Sequence, residues 1–204
     1  MKHPSCGFVM VVAAILCSSL SSAAAAQWGI TLEAQRAAYG GTSRDTSSGG
    51  AGGSFRPANS PAVTFRLDRR FGRMAFGLGI RYSRSAVLLD DGEIFVGFHN
   101  ELSTIEVAPE IRVRLVRTAR GAALHLYGGP VVGVCDLKDQ GSRVVPGAIA
   151  GIAGEFPVAD RLALWVRVGG GLARSLFRPG ELPPEFERHI ARRSEIGFGL
   201  RYGR

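Results

Sequence analysis

Between Ile105 and Leu115 the chain alternates by residue type with hardly a fault. Ile105, Val107, Pro109, Ile111, Val113 and Leu115 take one parity; Glu106, Ala108, Glu110, Arg112 and Arg114 take the other. Successive strand side chains point to opposite faces, so this run is a β-strand with one apolar and one charged face. Its length matches the ~9–11 residues that a tilted strand needs to cross a bilayer. Seven further segments repeat the pattern. The chain is thereby confined to all-β architectures in which one whole sheet face is apolar.

Read by parity, the first apolar face is Trp28, Ile30, Leu32 and Ala34, and the second is Val63, Phe65 and Leu67. The third is Met74, Phe76, Leu78, Ile80 and Tyr82, and the run above is the fourth. Leu124, Leu126, Pro130, Val132 and Val134 form the fifth, and Ala148, Ala150, Ile152 and Phe156 a Gly/Ala-rich sixth. Leu162, Leu164, Val166, Val168 and Leu172 form the seventh, and Ile196, Phe198, Leu200 and Tyr202 the eighth. An even number of strands lets an antiparallel meander close without an unpaired edge.

The N-terminus sets the compartment. Lys2 and His3 precede an apolar stretch from Phe8 to Leu16, and Ala24-Ala25-Ala26 before Gln27 is an A-x-A cleavage site. Residues 1–26 therefore read as a secretory signal and 27–204 as one folded domain. Cys6 and Cys17 fall in the signal, which leaves Cys135 as the only cysteine of the mature chain and excludes an internal disulfide.

The connections differ by end. Gly40 to Ser60, Asp90 to Leu102 and Arg178 to Arg192 are long, and Asp136 to Ser142 is intermediate; Arg69-Arg70-Phe71-Gly72, Arg117 to Arg120 and Pro157 to Asp160 are tight turns. Long loops on one rim and short turns on the other are the pattern of a transmembrane barrel, with extracellular loops and periplasmic turns.

Parity alone leaves the direction of the faces open, and a soluble barrel of the lipocalin kind would put the apolar face inside. The polar face, however, carries Gly77, Gly79, Gly129, Gly133, Gly147, Gly151, Gly169, Gly171, Gly197 and Gly199. Small residues suit the narrow interior of eight strands and would only weaken a solvated face. The strand cations are arginines, and the mature chain's single lysine is Lys138 in a loop. Arginine is the better partner in buried pairs. Parity turns inward Arg66, Arg81, Arg112, Arg114, Arg167 and Arg201, together with Glu33, Asp68, Glu106, Glu110, Glu155 and Glu195. Six cations facing six anions is what an enclosed lumen requires, because an unpaired buried charge costs several kcal/mol. The expected fold is all-β, an eight-stranded antiparallel up-and-down transmembrane β-barrel. Trp28, Phe71, Phe156 and Tyr202 at one end, with Tyr82 and Phe177 at the other, read as interfacial belts.

The formal charge is +8. Lys2 leaves with the signal, and with the lumen balanced nearly the whole remaining surplus falls on the periplasmic rim at Arg69, Arg70, Arg73, Arg117, Arg120, Arg161 and Arg204, against Asp160, with Arg36 near the outer end of the first strand supplying the rest. Attraction to anionic headgroups explains a basic excess in this compartment better than nucleic acid does, and simple solvation of the turns explains it equally well.

The mature chain resembles the small eight-stranded outer-membrane barrels of the OmpA/OmpX type. The resemblance rests on the signal, the eight alternating segments, the Pro157-Val158-Ala159-Asp160-Arg161 turn into Leu162-Ala163-Leu164, and the closing Ile196 to Tyr202. It implies an outer-membrane location, contact with outer-membrane lipids and lipopolysaccharide, and insertion by the barrel-assembly machinery. The chain departs from such barrels by continuing past Tyr202 to Gly203-Arg204.

Catalysis has no carrier here. Outer-membrane deacylases of similar architecture place a His-x-Ser pair on a strand, whereas His99 is followed by Asn100-Glu101, His125 by Leu126-Tyr127 and His189 by Ile190-Ala191. His125 faces inward among carboxylates and reads as a hydrogen-bonding lumen residue. Neither a metal set nor a cofactor motif is present, because Gly169-Gly170-Gly171 lies within a strand and precedes no helix. Three functions stay open. The favoured one is a non-enzymatic barrel with a structural or surface-interaction role through long loops that meet an extracellular partner. The others are a narrow porin-like channel and a lipid-modifying or lipid-carrying barrel.

Overall fold

The computed structural model describes residues 27–40, 43–45, 54–90, 95–137, 141–175, 177 and 186–203. The expected signal at 1–26 lies outside them. The described chain is strand and turn throughout, with eleven strands: β1 (Gln27–Tyr39), β2 (Ser43–Asp45), β3 (Ser54–Pro57), β4 (Ser60–Phe71), β5 (Met74–Asp90), β6 (Phe95–Arg117), β7 (Ala123–Leu137), β8 (Gly141–Ala159), β9 (Leu162–Ala173), β10 (Phe186–Arg188) and β11 (Ala191–Gly203).

Eight of these form the wall. All neighbours are antiparallel in the order β5-β4-β1-β11-β9-β8-β7-β6, and β6 pairs back onto β5, so the sheet closes. Closure is what lets every strand present an apolar face outward without leaving an edge. Leu32 is 57% exposed and Phe198 53%, while Glu33 and Arg201, one residue out of phase with such positions, are each 1% exposed. The outward rows agree with the parity reading on all eight strands. The molecule is inside out relative to a soluble barrel.

The strands run further than the alternation suggested. β4 continues through Arg69 and Arg70 to Phe71, so the turn is Gly72-Arg73, with Gly72 at φ 59°. At the other end β7 and β8 stay paired as far as Leu137 and Gly141, which shortens the Asp136 to Ser142 connection to residues 138–140. β5 and β6 extend to Asp90 and Phe95, past a register shift between Ser85 and Val87. The 40–60 segment, expected as a long loop, contributes β2 and β3. β3 pairs with Val87–Asp90 of β5, β2 pairs with β3, and β10 from the 178–192 connection pairs with β2. Three loop-end connections are thus tied into one sheet.

The pairing of β6 with β7 lapses at mid-wall. The β6–β7 register is the same on both sides of a gap, from Val107 against Val132 to Ile111 against Gly128, which sets Pro109 opposite Pro130. Neither proline has an N–H to donate, so the ladder lapses there. The strands approach closely at this point: a Cβ on Gly129 would overlap the Pro109 carbonyl.

Candidate functional site

The lumen is where the sequence concentrated its charges, and two connected sets of ion pairs occupy it. The first begins at Glu33, whose carboxylate accepts from Arg66 and, at 2.7 Å, from Gln35 Nε2. Arg66 Nε also lies 3.1 Å from Glu110 Oε2. Glu110 takes both prongs of the Arg167 fork, Nη1 to Oε2 at 3.1 Å and Nη2 to Oε1 at 3.0 Å. Arg167 Nε reaches Glu195 at 3.5 Å, and Glu195 meets Arg193 Nε at 3.2 Å. Arg193 Nη1 donates to both Glu106 oxygens, at 2.6 and 2.7 Å, and Arg81 donates to the same carboxylate at 3.2 Å. Four arginines face four glutamates. Every charge of the set is paired, as burial requires, while the Arg66, Arg81, Arg167 and Arg193 Nε atoms and Glu195 Oε2 make ion-pair contacts or none rather than hydrogen bonds.

The second set lies nearer the turns. Asp68 Oδ2 accepts from Arg201 at 2.7 Å and lies 2.6 Å from Arg112 Nη2 in an ion pair. Arg201 also approaches Glu155 at 3.8 Å, and Glu155 Oε2 accepts from Arg70 at 2.7 Å and meets His125 Nε2 at 3.2 Å. Here three arginines face two carboxylates. Trp165, fully buried, lies under the Arg112 guanidinium at 4.8 Å and beside the His125 ring at 5.6 Å. Arg167 stacks at 3.5 Å on Tyr127. The Tyr127 hydroxyl fills space that a Cβ on Gly151 or Gly169 would take, so those glycines make the slot for its ring.

Between the ion pairs and the loop end sits an apolar plug of Val87, Leu102, Cys135, Leu137 and Val145, with Phe177 packed on it. Thr104 Oγ1 lies 3.7 Å from the Cys135 sulfur. The cavities in these layers hold only about 50 and 20 Å³. At the turn end, by contrast, a vestibule of about 770 Å³ opens, lined among others by Arg70, Arg114, Arg117, Arg120, Arg161, Glu155 and Asp160.

No protein-family model matches the sequence, and no curated protein matches it either. Solved structures do. The outer membrane protein AlkL superposes with a TM-score of 0.56 at 13% identity, over 88% of this chain and 90% of that one. Neisserial surface protein A gives 0.52 at 12% identity, over 86% and 96% of the two chains. A major outer membrane protein from Thermus thermophilus gives 0.50 at 13% identity, over 87% and 99%. The fold is that of a small eight-stranded outer-membrane β-barrel.

Within this barrel the structure redistributes some of the expected charges. Glu33, Arg66, Asp68, Arg81, Glu106, Glu110, Arg112, Glu155, Arg167, Glu195 and Arg201 all lie in the lumen networks. Arg114 does not. It stands at the turn-end mouth, beside a register shift between Arg114 and Val116, and it meets no carboxylate among the described residues. Arg70, expected on the rim, is a lumen residue because β4 runs one turn further and parity points it inward at Glu155. Arg69 takes the opposite parity and packs over the Trp28 and Phe71 rings at 5.6 and 5.0 Å on the outer surface. Arg117, Arg120 and Arg161 line the vestibule, and Arg73 occupies the β4–β5 turn.

Two lumen arginines escape the sequence reading. Arg193 joins Glu106 to Glu195, and Arg143 is buried near the plug. Arg193 shares the inward parity of Glu195, and extending β11 by that rule would find it. Phe177, expected in an interfacial belt, packs inward on the plug instead. His125 meets Glu155 in the lumen.

Proposed function

We propose that this chain is a non-enzymatic outer-membrane barrel that acts as a rigid carrier for a recognition surface at its loop end. The observation that carries this reading is the sheet β10-β2-β3-β5-β6, which binds three loop-end connections together beyond the wall. Recognition commonly resides on segments held by a rigid scaffold. The apolar exterior supports a membrane location, since a band of this kind is stable against lipid and not against water. The short turns then face the periplasm and the loop-end sheet faces outward, toward lipopolysaccharide or an extracellular partner. Insertion by the barrel-assembly machinery belongs to the same proposal.

The packed lumen favours this role over a channel, because its ion pairs and apolar plug leave little connected space. It also favours it over catalysis: His125 and the lumen carboxylates are engaged with one another or with arginines, which leaves no nucleophile beside a free base among the described residues. An epitope inserted at residues 46–53 tests the proposal, read by antibody labelling of intact cells. Labelling without permeabilisation, together with flat planar-bilayer recordings, is the expected result. Labelling only after permeabilisation, or discrete conductance steps, refutes it.

A further inference from the structure

We propose that the turn-end vestibule is a binding site for a phosphate group. Its wall carries five guanidinium groups, on Arg70, Arg114, Arg117, Arg120 and Arg161, against the carboxylates of Glu155 and Asp160. Glu155 is already shared among Arg70, Arg201 and His125. The ion-pair set directly above is itself cationic, with Arg70, Arg112 and Arg201 on Asp68 and Glu155. The positive charge of the lumen therefore collects at this one end.

Arg114 decides between a site and an ordinary solvated rim. Every inward arginine deeper in the barrel has a partner, whereas half-buried Arg114 meets no carboxylate among the described residues. The charged groups that act on it most are Arg70, Arg117 and Arg73, and after them Glu155. Arg117, Arg120 and Arg161 stand exposed around the concavity, and like charges gathered in such a mouth focus the field on an incoming anion.

The donors select the ligand class. Several forked guanidinium groups around one concavity match a multi-oxygen anion such as phosphate, which accepts paired hydrogen bonds from more than one direction. A volume of about 770 Å³ leaves room for whatever carries the phosphate. Two sources share this chemistry: a phospholipid headgroup from the adjoining leaflet, and a soluble phosphate ester.

The test uses the mature barrel in phosphatidylcholine nanodiscs. Calorimetry follows titration with pyrophosphate, and phosphorus NMR follows nanodiscs doped with phosphatidylglycerol. Wild type is expected to bind at least one probe in a salt-sensitive manner. The triple variant Arg114→Gln, Arg117→Gln, Arg120→Gln should bind it at least about tenfold more weakly, as expected for lost charge-assisted hydrogen bonds. The loop-end variant Arg84→Gln should bind as wild type does, and the heat-dependent gel shift verifies folding of each. A lysine triple at the same positions keeps the charge while removing the forks, and should fall between. Pyrophosphate binding alone assigns a soluble source, and phosphatidylglycerol binding alone a headgroup. No binding of either probe by wild type overturns the proposal. So does equal binding by wild type and the glutamine triple.

Discussion

Replacing Glu110 should destabilise the barrel more than any loss of volume explains. Its carboxylate joins Arg66 to Arg167, with both oxygens engaged and the side chain buried. Glu110→Met keeps the approximate volume and removes the charge, so the effect isolates electrostatics. Removing one partner of a buried pair typically costs about 3–5 kcal/mol. Each arginine here keeps a second carboxylate, Glu33 for Arg66 and Glu195 for Arg167, which argues for the lower end, about 3 kcal/mol. Urea unfolding in lipid vesicles, followed by the gel shift of the folded form, reads this out. With a slope of about 2 kcal/mol/M the midpoint should fall by about 1.5 M. Adding Arg167→Met restores the balance of arginines and glutamates in that set and should recover part of the loss. A single-variant change below about 1 kcal/mol would place Glu110 on the scale of an exposed pair and refute the sealed-network account.

The other predictions concern the wall, one turn and the plug. Gly129→Ala should cost about 1–3 kcal/mol, because its Cβ would overlap the Pro109 carbonyl, while Gly79→Ala, whose nearest neighbour would be Arg66 Nε at 3.6 Å, should be nearly neutral in the same urea assay. Ile111→Arg on the outer face should cost about 2–4 kcal/mol in vesicles, and Leu115→Arg, near the turn end, about 0–1 kcal/mol. Gly72 sits at φ 59° with open space around it, so Gly72→Ala should lower stability by about 1 kcal/mol through the backbone alone, and Gly72→Asn by less. Leu102→Ser with Leu137→Ser should leave bilayer recordings flat, because the Glu106–Arg193 layer still closes the lumen; discrete steps would show the apolar plug to be the only seal.

Much of this is legible because a two-residue period with unlike faces admits few solutions. Leu32 and Glu33, or Ile111 and Arg112, are adjacent in sequence and on opposite sides of the wall. What parity cannot supply is where a strand stops. Arg70 reads as turn because it is followed by Phe71-Gly72, yet the pairing runs on through Arg69, Arg70 and Phe71, and Arg70, opposite Ala75, is carried into the lumen. Arg193 is hidden in the same way at the start of β11. The balance of six on six therefore gives way to a neutral inner set and a cationic mouth. Register is also invisible: Pro109 and Pro130 each read as ordinary outward residues, and only the β6–β7 pairing sets them face to face. The pairing of β2, β3 and β10 is a long-range fact, written in no local pattern of the 40–60 segment.

The central claim is that the apolar face meets lipid and the charges close on one another inside. Cell fractionation followed by gel electrophoresis with and without boiling tests it most directly. The account predicts an outer-membrane band that changes mobility on heating, as a closed barrel unfolds. A soluble periplasmic protein whose mobility is the same before and after boiling would contradict it.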